Sequence, residues 1–333
     1  MDKRFFALIL LILFSVGIIF VHHFFSKRVS GYSVAIITPT THPSLEKIEQ
    51  GFIETLDKLT SQHNTYKIYN AHGRRSLLKT QVEQVVNGSS DLIFTIAASP
   101  TLMAHEIVRK RGCAIPQIFA AVSHPENHAI RQDQMITGIT EAYNPRLQIE
   151  ALRYFKPVIK GVLIVYAPHE TPELQNDAEM VIKMLEKDAI KARKVEIFNI
   201  VELAQRVMPF LHEFDTILIL IDNTIVSGID ALITLCKRRG ITLVASDLDS
   251  GLKGAALSTG VKEELYGIKA AEQAFDVLMQ KKLASEIPFI PLDDHYVQIN
   301  KRTMKEQNLP VEEKLSLLPV VFQEKGCVCV KLS

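Results

Sequence analysis

The sequence predicts an α/β protein of two doubly wound parallel-sheet lobes joined by a hinge and preceded by an N-terminal transmembrane helix. From Ser33 onward, short β-branched apolar runs alternate with amphipathic stretches, the pattern of βαβ units. The alternation runs through once and then repeats, which gives two lobes of about 150 residues each, an ordinary domain size. Ahead of both lies Phe5–Phe25, FFALILLILFSVGIIFVHHFF, an almost unbroken apolar run. The composition agrees with a globular chain: 333 residues, 47% hydrophobic and 23% charged, outside the collagenous and disordered classes.

In the first lobe, strands are expected at Ser33–Thr38, Tyr66–Tyr69, Leu92–Ile96, Gln117–Ala121 and Ile136–Thr140. Helices are expected over Leu45–Leu59, Leu77–Val86 and Thr101–Lys110, where apolar residues recur at helical spacing. The second series begins after a helix at Pro145–Phe155. Its strands are read at Gly161–Tyr166, Lys194–Phe198, Thr216–Ile221 and Thr242–Ala245, and its helices at Glu173–Asp188, Val201–Phe214 and Ile225–Arg239. Parallel strands covered on both faces read as continuous apolar runs, as VLIV at Val162–Val165 and ILILI at Ile217–Ile221 do. A last helix, Glu263–Lys281, precedes Pro288, Pro291 and an extended stretch at Tyr296–Ile299.

No Pro/Gly/Ser linker separates the lobes, so several short crossings are expected in place of one tether. The expected division is residues 1–31 as anchor or signal segment, 32–141 with about 262–288 as lobe 1, and 142–261 with about 289–305 as lobe 2. Residues 306–333 are left as an unassigned tail.

At about 1.5 Å per residue, a Phe5–Phe25 helix crosses a ~30 Å hydrocarbon layer. A secretory signal has a shorter apolar stretch ending in a small-x-small site. Here the one passable site, Val29-Ser30-Gly31, lies behind Lys27-Arg28, which favours an uncleaved anchor. Basic residues flank the run on both sides, so charge does not orient it.

With 38 Lys+Arg against 37 Asp+Glu, the net charge of +1 offers no field for phosphates, and no nucleic-acid partner is expected. Cys113, Cys236, Cys327 and Cys329 form neither a disulfide framework nor a C-x-x-C zinc pattern. His105-Glu106, His169-Glu170 and His212-Glu213 lack the second His of H-E-x-x-H, and no P-loop, G-x-S-x-G or G-x-G-x-x-G occurs. Catalytic residues, metal ligands and cofactors are therefore not expected, and the chain is read as a non-enzyme.

In open parallel sheets, ligands collect beyond the carboxyl ends of the strands, where helix N-termini point N–H groups at the cleft. Those ends place candidate ligand contacts at Thr41, His42, Ala98, Ser99, Ser123, His124, Tyr166, Asp222, Asn223 and Asp247. Hydroxyls followed by Pro in the first lobe suit a carboxylate guest, although capping also explains Ser99. Asp222 and Asp247 in the second lobe suit an ammonium group, although each can equally be an N-cap. An amino-acid zwitterion satisfies both lobes, since each charge is desolvated only where it is paired. On this reading, Asp222→Ala and Asp247→Ala weaken binding and leave the melting temperature little changed.

These same segments resemble the ABC-transporter substrate-binding family that includes tryptophan- and aromatic-amino-acid-binding proteins. The resemblance rests on His42-Pro43-Ser44-Leu45 with Gly51-Phe52, Asn70-Ala71-His72-Gly73, and the stretch from Asp91 to Pro100. It continues in Phe119-Ala120-Ala121-Val122 with Pro125, Thr137-Gly138-Ile139, Asp222-Asn223-Thr224, and Ala245–Ser250 followed by Gly254-Ala255. It runs from about Tyr32 to Lys305 and implies a type I periplasmic binding fold, with cleft roles for Ser99, Ser123, Asp222, Asn223 and Asp247. Ala167-Pro168 stands where the family often has Asn-Pro, and Lys262-Glu263-Glu264 where it often has Asp-Tyr-Tyr, so the ligand can differ from the family's usual one.

The function expected is the extracytoplasmic solute-binding component of an ABC importer. It is held at the cell membrane by its N-terminal helix, binds a small zwitterion, expected to be an amino acid and aromatic ones included, between closing lobes, and presents it to an ABC permease. The alternative is a membrane-anchored sensor that uses the same closure to signal to a partner. An enzyme on this scaffold is disfavoured by the lack of a nucleophile–base pairing in the strand-end loops.

Overall fold

The structure, a computed structural model, describes residues 31–331 except 62, 63, 170 and 172. The apolar run Phe5–Phe25 lies outside the described residues. Among the described residues, no helix is long and apolar enough to cross a membrane.

The first lobe opens with β1 (Ser33–Thr38), α1 (Pro43–Thr60), β2 (Thr65–Asn70), α2 (Arg75–Val86), β3 (Leu92–Ile96), α3 (Ala98–Arg111), β4 (Gln117–Val122) and β5 (Ile136–Glu141). The second lobe follows with α4 (Pro145–Phe155), β6 (Val162–Tyr166), α5 (Glu173–Lys187), β7 (Ala192–Glu196), α6 (Leu203–Val207), β8 (Thr216–Ile219), α7 (Asn223–Ser227), α8 (Ile229–Arg239), β9 (Thr242–Ala245), α9 (Leu248–Lys253) and β10 (Leu257–Gly260). The chain ends with α10 (Glu264–Leu278), β11 (Ile290–Leu292), β12 (Tyr296–Asn300), α11 (Lys301–Glu306), α12 (Val311–Leu315), β13 (Val320–Glu324) and β14 (Cys327–Val330).

Two sheets result. The first has the order β11-β5-β4-β3-β1-β2 and is parallel throughout. The second has the order β13-β14-β12-β10-β9-β8-β6-β7, parallel from β10 to β7 and antiparallel over β13, β14 and β12. The chain crosses between the sheets three times: from β5 to α4, from β10 to α10, and from β11 to β12.

The core forms on both faces of each sheet. Val34, Ile36, Leu92 and Phe94 pack under α1 and α10, and Phe52 of α1 stacks on Phe94 with centroids 3.9 Å apart. Ala35, Ile37 and Ile93 face α2 and α3. Helix α10 lies so close to α1 that a Cβ on Gly267 would sit 2.0 Å from the Ile48 carbonyl oxygen, and one on Gly51 would sit 2.7 Å from that of Glu264. Glycine at both positions is what lets these backbones touch.

Several boundaries differ from expectation. The helix read over Val201–Phe214 is instead 3₁₀ turns flanking the short α6, with Pro209, which has no amide donor, in the second turn. The helix read over Ile225–Arg239 is broken into α7 and α8 at Gly228, where a Cβ would meet Ile200 at 2.4 Å. Strand β7 lies two residues earlier than read, paired with β6 from Val162↔Ala192 to Tyr166↔Glu196. Residues 290–292, assigned from sequence to the second lobe, pair with β5 in the first sheet. The tail is ordered: β13 and β14 form a hairpin that turns at Lys325 and Gly326, both at positive φ, and β14 pairs with β12. Cys327 and Cys329 are buried in it, and burial pushes their thiols up to about 11 and about 12.

Candidate functional site

The carboxyl ends of both parallel sheets meet in one cleft, and the lobes touch across it. Ser44, in the first turn of α1, places its Oγ 3.1 Å from Asp247 Oδ1 and 3.1 Å from Asp249 Oδ2, and Lys47 Nζ lies 2.6 Å from Asp249 Oδ1. Behind these contacts is a cavity of ≈ 50 Å³ with polar walls from both lobes, among them His42, Glu141, Asp222, Asp247 and Glu263. Its apolar wall is aliphatic, from Leu45, Ile48, Ile221 and Val226, and among the described residues no Lys, Arg, Phe or Tyr lines it.

Asp222 and Asp247 are both N-caps, and both line the cavity. Asp222 caps α7 by accepting from the Ile225 amide (3.0 Å), and its other oxygen accepts from the Ala167 amide (2.5 Å). Asp247 caps α9 by accepting from the Ser250 amide (2.8 Å) and hydroxyl (2.6 Å). Backbone and hydroxyl donors of this kind hold each carboxylate in a fixed position on the cavity wall.

His42 caps α1: its Nδ1 accepts from the Ser44 amide at 3.2 Å, so Nε2 carries the proton. The ring is 1% exposed, burial holds it below the ordinary imidazole range, and Nε2 has no hydrogen-bond partner, with Asp247 Oδ1 4.0 Å away.

Two carboxyl groups of this cavity were not among the candidates read from sequence. Glu141, the last residue of β5, is pushed up to about 8 by loss of water in the closed cleft and by Asp247, against a hydrogen bond from Ser123. Glu263, just before α10, is 8% exposed and pushed well above the ordinary carboxylate range, first by burial and then by Glu141, Asp247 and Asp249. Glu141 was missed because the expected strand stopped at Thr140; the strand-end rule finds it once β5 is extended by one residue.

A second, outer compartment of ≈ 60 Å³ adjoins the first at Asn223, which lines both. Ser99, Arg74, Arg75 and His169 face it. Helix α3 has no side-chain cap, because Ala97 stands at its N-cap position in a positive-φ conformation (φ 74°). Ala121 (φ 56°) and His124 (φ 50°) share that sign at the end of β4. Non-glycine residues in this region cost about 1–3 kcal/mol each and persist where the surrounding structure holds them, commonly at ligand clamps.

The remaining candidates fall as follows. Ser123 bonds Glu141, and Ala98 opens α3 between the two cavity-lining residues Ala97 and Ser99. His124 lies at the cleft edge, Nδ1 3.3 Å from Glu126 and Nε2 3.6 Å across the cleft from Asp177; beside it, His128 Nε2 is 3.4 Å from Glu173. Thr41 is exposed and accepts from Asn70 at 3.0 Å; its neighbour Thr40 lines the outer compartment instead. Tyr166 is not at the cleft: its ring is buried in the second-lobe core and its hydroxyl donates to Glu196 on β7 at 2.9 Å. Strand alternation turned it away from the ligand side. Among the described residues, no group of three or more His, Cys, Asp or Glu could hold a metal ion.

The chain is 28% identical over 293 residues to an uncharacterised protein of Rickettsia prowazekii (strain Madrid E), covering 87% of this chain and 90% of that one. It is 25% identical over 293 residues to the tyrosine-binding protein of Clostridioides difficile (strain R20291), covering 85% and 82%. Among solved structures, an ABC domain in complex with L-Trp from Streptococcus pneumonia superposes with TM-score 0.78 at 21% identity, covering 86% of this chain and 98% of that chain. The ligand-free, open structure of the substrate-binding protein CD0873 from Clostridium difficile superposes with TM-score 0.60 at 20% identity, covering 83% and 95%. The periplasmic-binding-protein type of fold is thus shared, and the model of the ABC transporter substrate binding protein family matches residues 33–322, so the chain belongs to that family.

Proposed function

We propose that the chain is the extracytoplasmic ligand-capturing component of an ABC importer, taking an amino-acid zwitterion between its lobes and delivering it to a permease. The observation that carries this reading is the cavity closed by Ser44 of one lobe against Asp247 of the other, with hydrogen-bonding groups from both lobes on its walls. A ligand favours the closed form only through contacts it makes better there, and these walls supply such contacts. The ammonium end is received by Asp247 and Glu141, and the carboxylate end by the uncapped start of α3 at Ala97, beside His42 on the same cavity wall. A dissociation constant of ~1 μM corresponds to about −8 kcal/mol, within reach of a few charge-assisted bonds plus aliphatic burial.

Calorimetry with a panel of L-amino acids, paired with small-angle scattering for the radius of gyration, tests the reading. A binder that also contracts the protein supports it, and no binding by any of the panel rejects it. In this reading the Phe5–Phe25 run keeps the domain at the membrane, outside the cytoplasm. Mass analysis of the mature N-terminus checks that part, since a start at Tyr32 would show removal of the segment.

A further inference from the structure

Three carboxyl groups set the charge of the deep cavity beside the capping Asp222: Glu141 from the first lobe, Asp247 from the second, and Glu263 at the crossing into α10. Among the described residues no lysine or arginine lines it, and the nearby Lys47 is engaged by Asp249 at 2.6 Å. A neutral zwitterion brings one ammonium and one carboxylate, which adds as much negative charge as it removes. It leaves the imbalance of such a cavity unrelieved.

A second, independent feature is His42. It is almost fully buried on the same wall, its Nδ1 is taken by the Ser44 amide, and its Nε2–H has no acceptor. A buried donor without a partner costs free energy that a guest oxygen recovers. The wall therefore asks for an acceptor on the ligand as well as for excess positive charge. The apolar lining of the deep cavity is aliphatic; the rings in the two compartments are the imidazoles of His42 and of His169, which faces Phe198 at 6.4 Å, and among the described residues no Phe or Tyr lines either one for an indole or phenol to stack on.

Resting on the receptor reading above, we infer that the ligand of this chain is a basic aliphatic amino acid: one carboxylate, an α-ammonium, and a second cationic group on an unbranched side chain. The two cations are shared among Glu141, Asp247 and Glu263, and a carboxylate oxygen is free to accept from His42. Glu141, whose carboxyl is pushed up to about 8 by burial and by Asp247, holds a proton that a ligand cation beside it would displace.

The experiment compares calorimetric affinities of the full chain for L-lysine, for L-norleucine, which keeps the chain length without the second ammonium, and for L-tryptophan and L-tyrosine. The expected result is L-lysine tighter than the other three by about tenfold or more, the effect of one well-placed charge-assisted bond. Glu141→Gln should then narrow the lysine-to-norleucine ratio to about threefold or less, with Glu263→Gln as the second variant should the first fail to fold. Norleucine or an aromatic amino acid binding as tightly as lysine overturns this ligand class while leaving the receptor reading standing. Binding by none of the four overturns this ligand class, and only the failure of the whole L-amino-acid panel overturns the receptor reading with it.

Discussion

Ser44 Oγ lies 3.1 Å from Asp247 Oδ1, a hydrogen bond between residues 203 apart in sequence that joins the first lobe to the second. The same hydroxyl is equally close to Asp249, so one side chain of α1 holds the N-terminal turn of α9 in the closed arrangement. A bond made only when the lobes close stabilises the closed state and leaves the open one untouched. Ser44→Ala should therefore weaken ligand binding by the worth of one hydrogen bond to a charged group, about 1.5–3 kcal/mol or roughly 10- to 150-fold, with thermal stability of the separate lobes little changed. Equal affinities for variant and parent by calorimetry would remove this contact from the closing mechanism.

Asp222 behaves otherwise. It is 1% exposed, caps α7, and receives the Ala167 amide at the end of β6. The sequence-level expectation that Asp222→Ala leaves the melting temperature unchanged is corrected by this geometry: alanine strands two buried N–H groups. The cost expected is about 2–4 kcal/mol, from a lost cap and an unsatisfied amide. Asp222→Asn keeps an acceptor for one of them and should lose clearly less. Urea unfolding of the two variants side by side separates them, and equal losses would show that the carboxylate's hydrogen bonds are not what stabilises α7.

Much of the fold was legible because the strands are covered on both faces and so read as plain apolar runs. β1, β3, α4 and β9 fall where Ser33–Thr38, Leu92–Ile96, Pro145–Phe155 and Thr242–Ala245 were read. Elements fixed by a partner were not legible. The register of edge strand β7 is set by β6, and the interruption at Gly228 is set by Ile200 packing against it. The β13–β14 hairpin acquires its place only by pairing with β12. In the site, the strand-end rule located His42, Ser99, Ser123, Asp222, Asn223 and Asp247 at or beside the cleft cavities. It could not tell which face of β6 Tyr166 takes, nor that Glu263, remote in sequence from every first-lobe strand end, arrives at the cavity through the α10 crossing.

The α1–α10 contact is another such long-range constraint, and it predicts an outcome. Gly267 faces the Ile48 carbonyl oxygen and the Phe52 amide, where a Cβ would stand 2.0 and 2.6 Å away. Both are backbone atoms inside a helix, so relief requires the helices to part. Gly267→Ala should destabilise the protein by about 2 kcal/mol or more and lower the melting temperature by roughly 4–8 °C, despite alanine's better helix propensity. A calorimetric scan showing an unchanged or raised melting temperature would mean that the crossing is looser than this.

Glu141 makes stability depend on pH in a direction opposite to that of a salt-bridged carboxylate. Its folded value, about 8, lies above the unfolded value of 4.5, because the closed cleft and Asp247 disfavour the charged form. Between those values the folded state holds a proton that the unfolded state has lost. The contribution of this group to stability is therefore fully present below about 4.5, falls as pH rises through the interval, and is gone above about 8. Glu263 acts in the same direction, so the unliganded protein should weaken steadily from pH 5 to 8. Glu141→Gln removes one of the two protons from the comparison and should flatten the slope of urea-derived stability against pH over that range. Parallel slopes for the variant and its parent would place the Glu141 carboxyl in contact with water and outside the closed cavity.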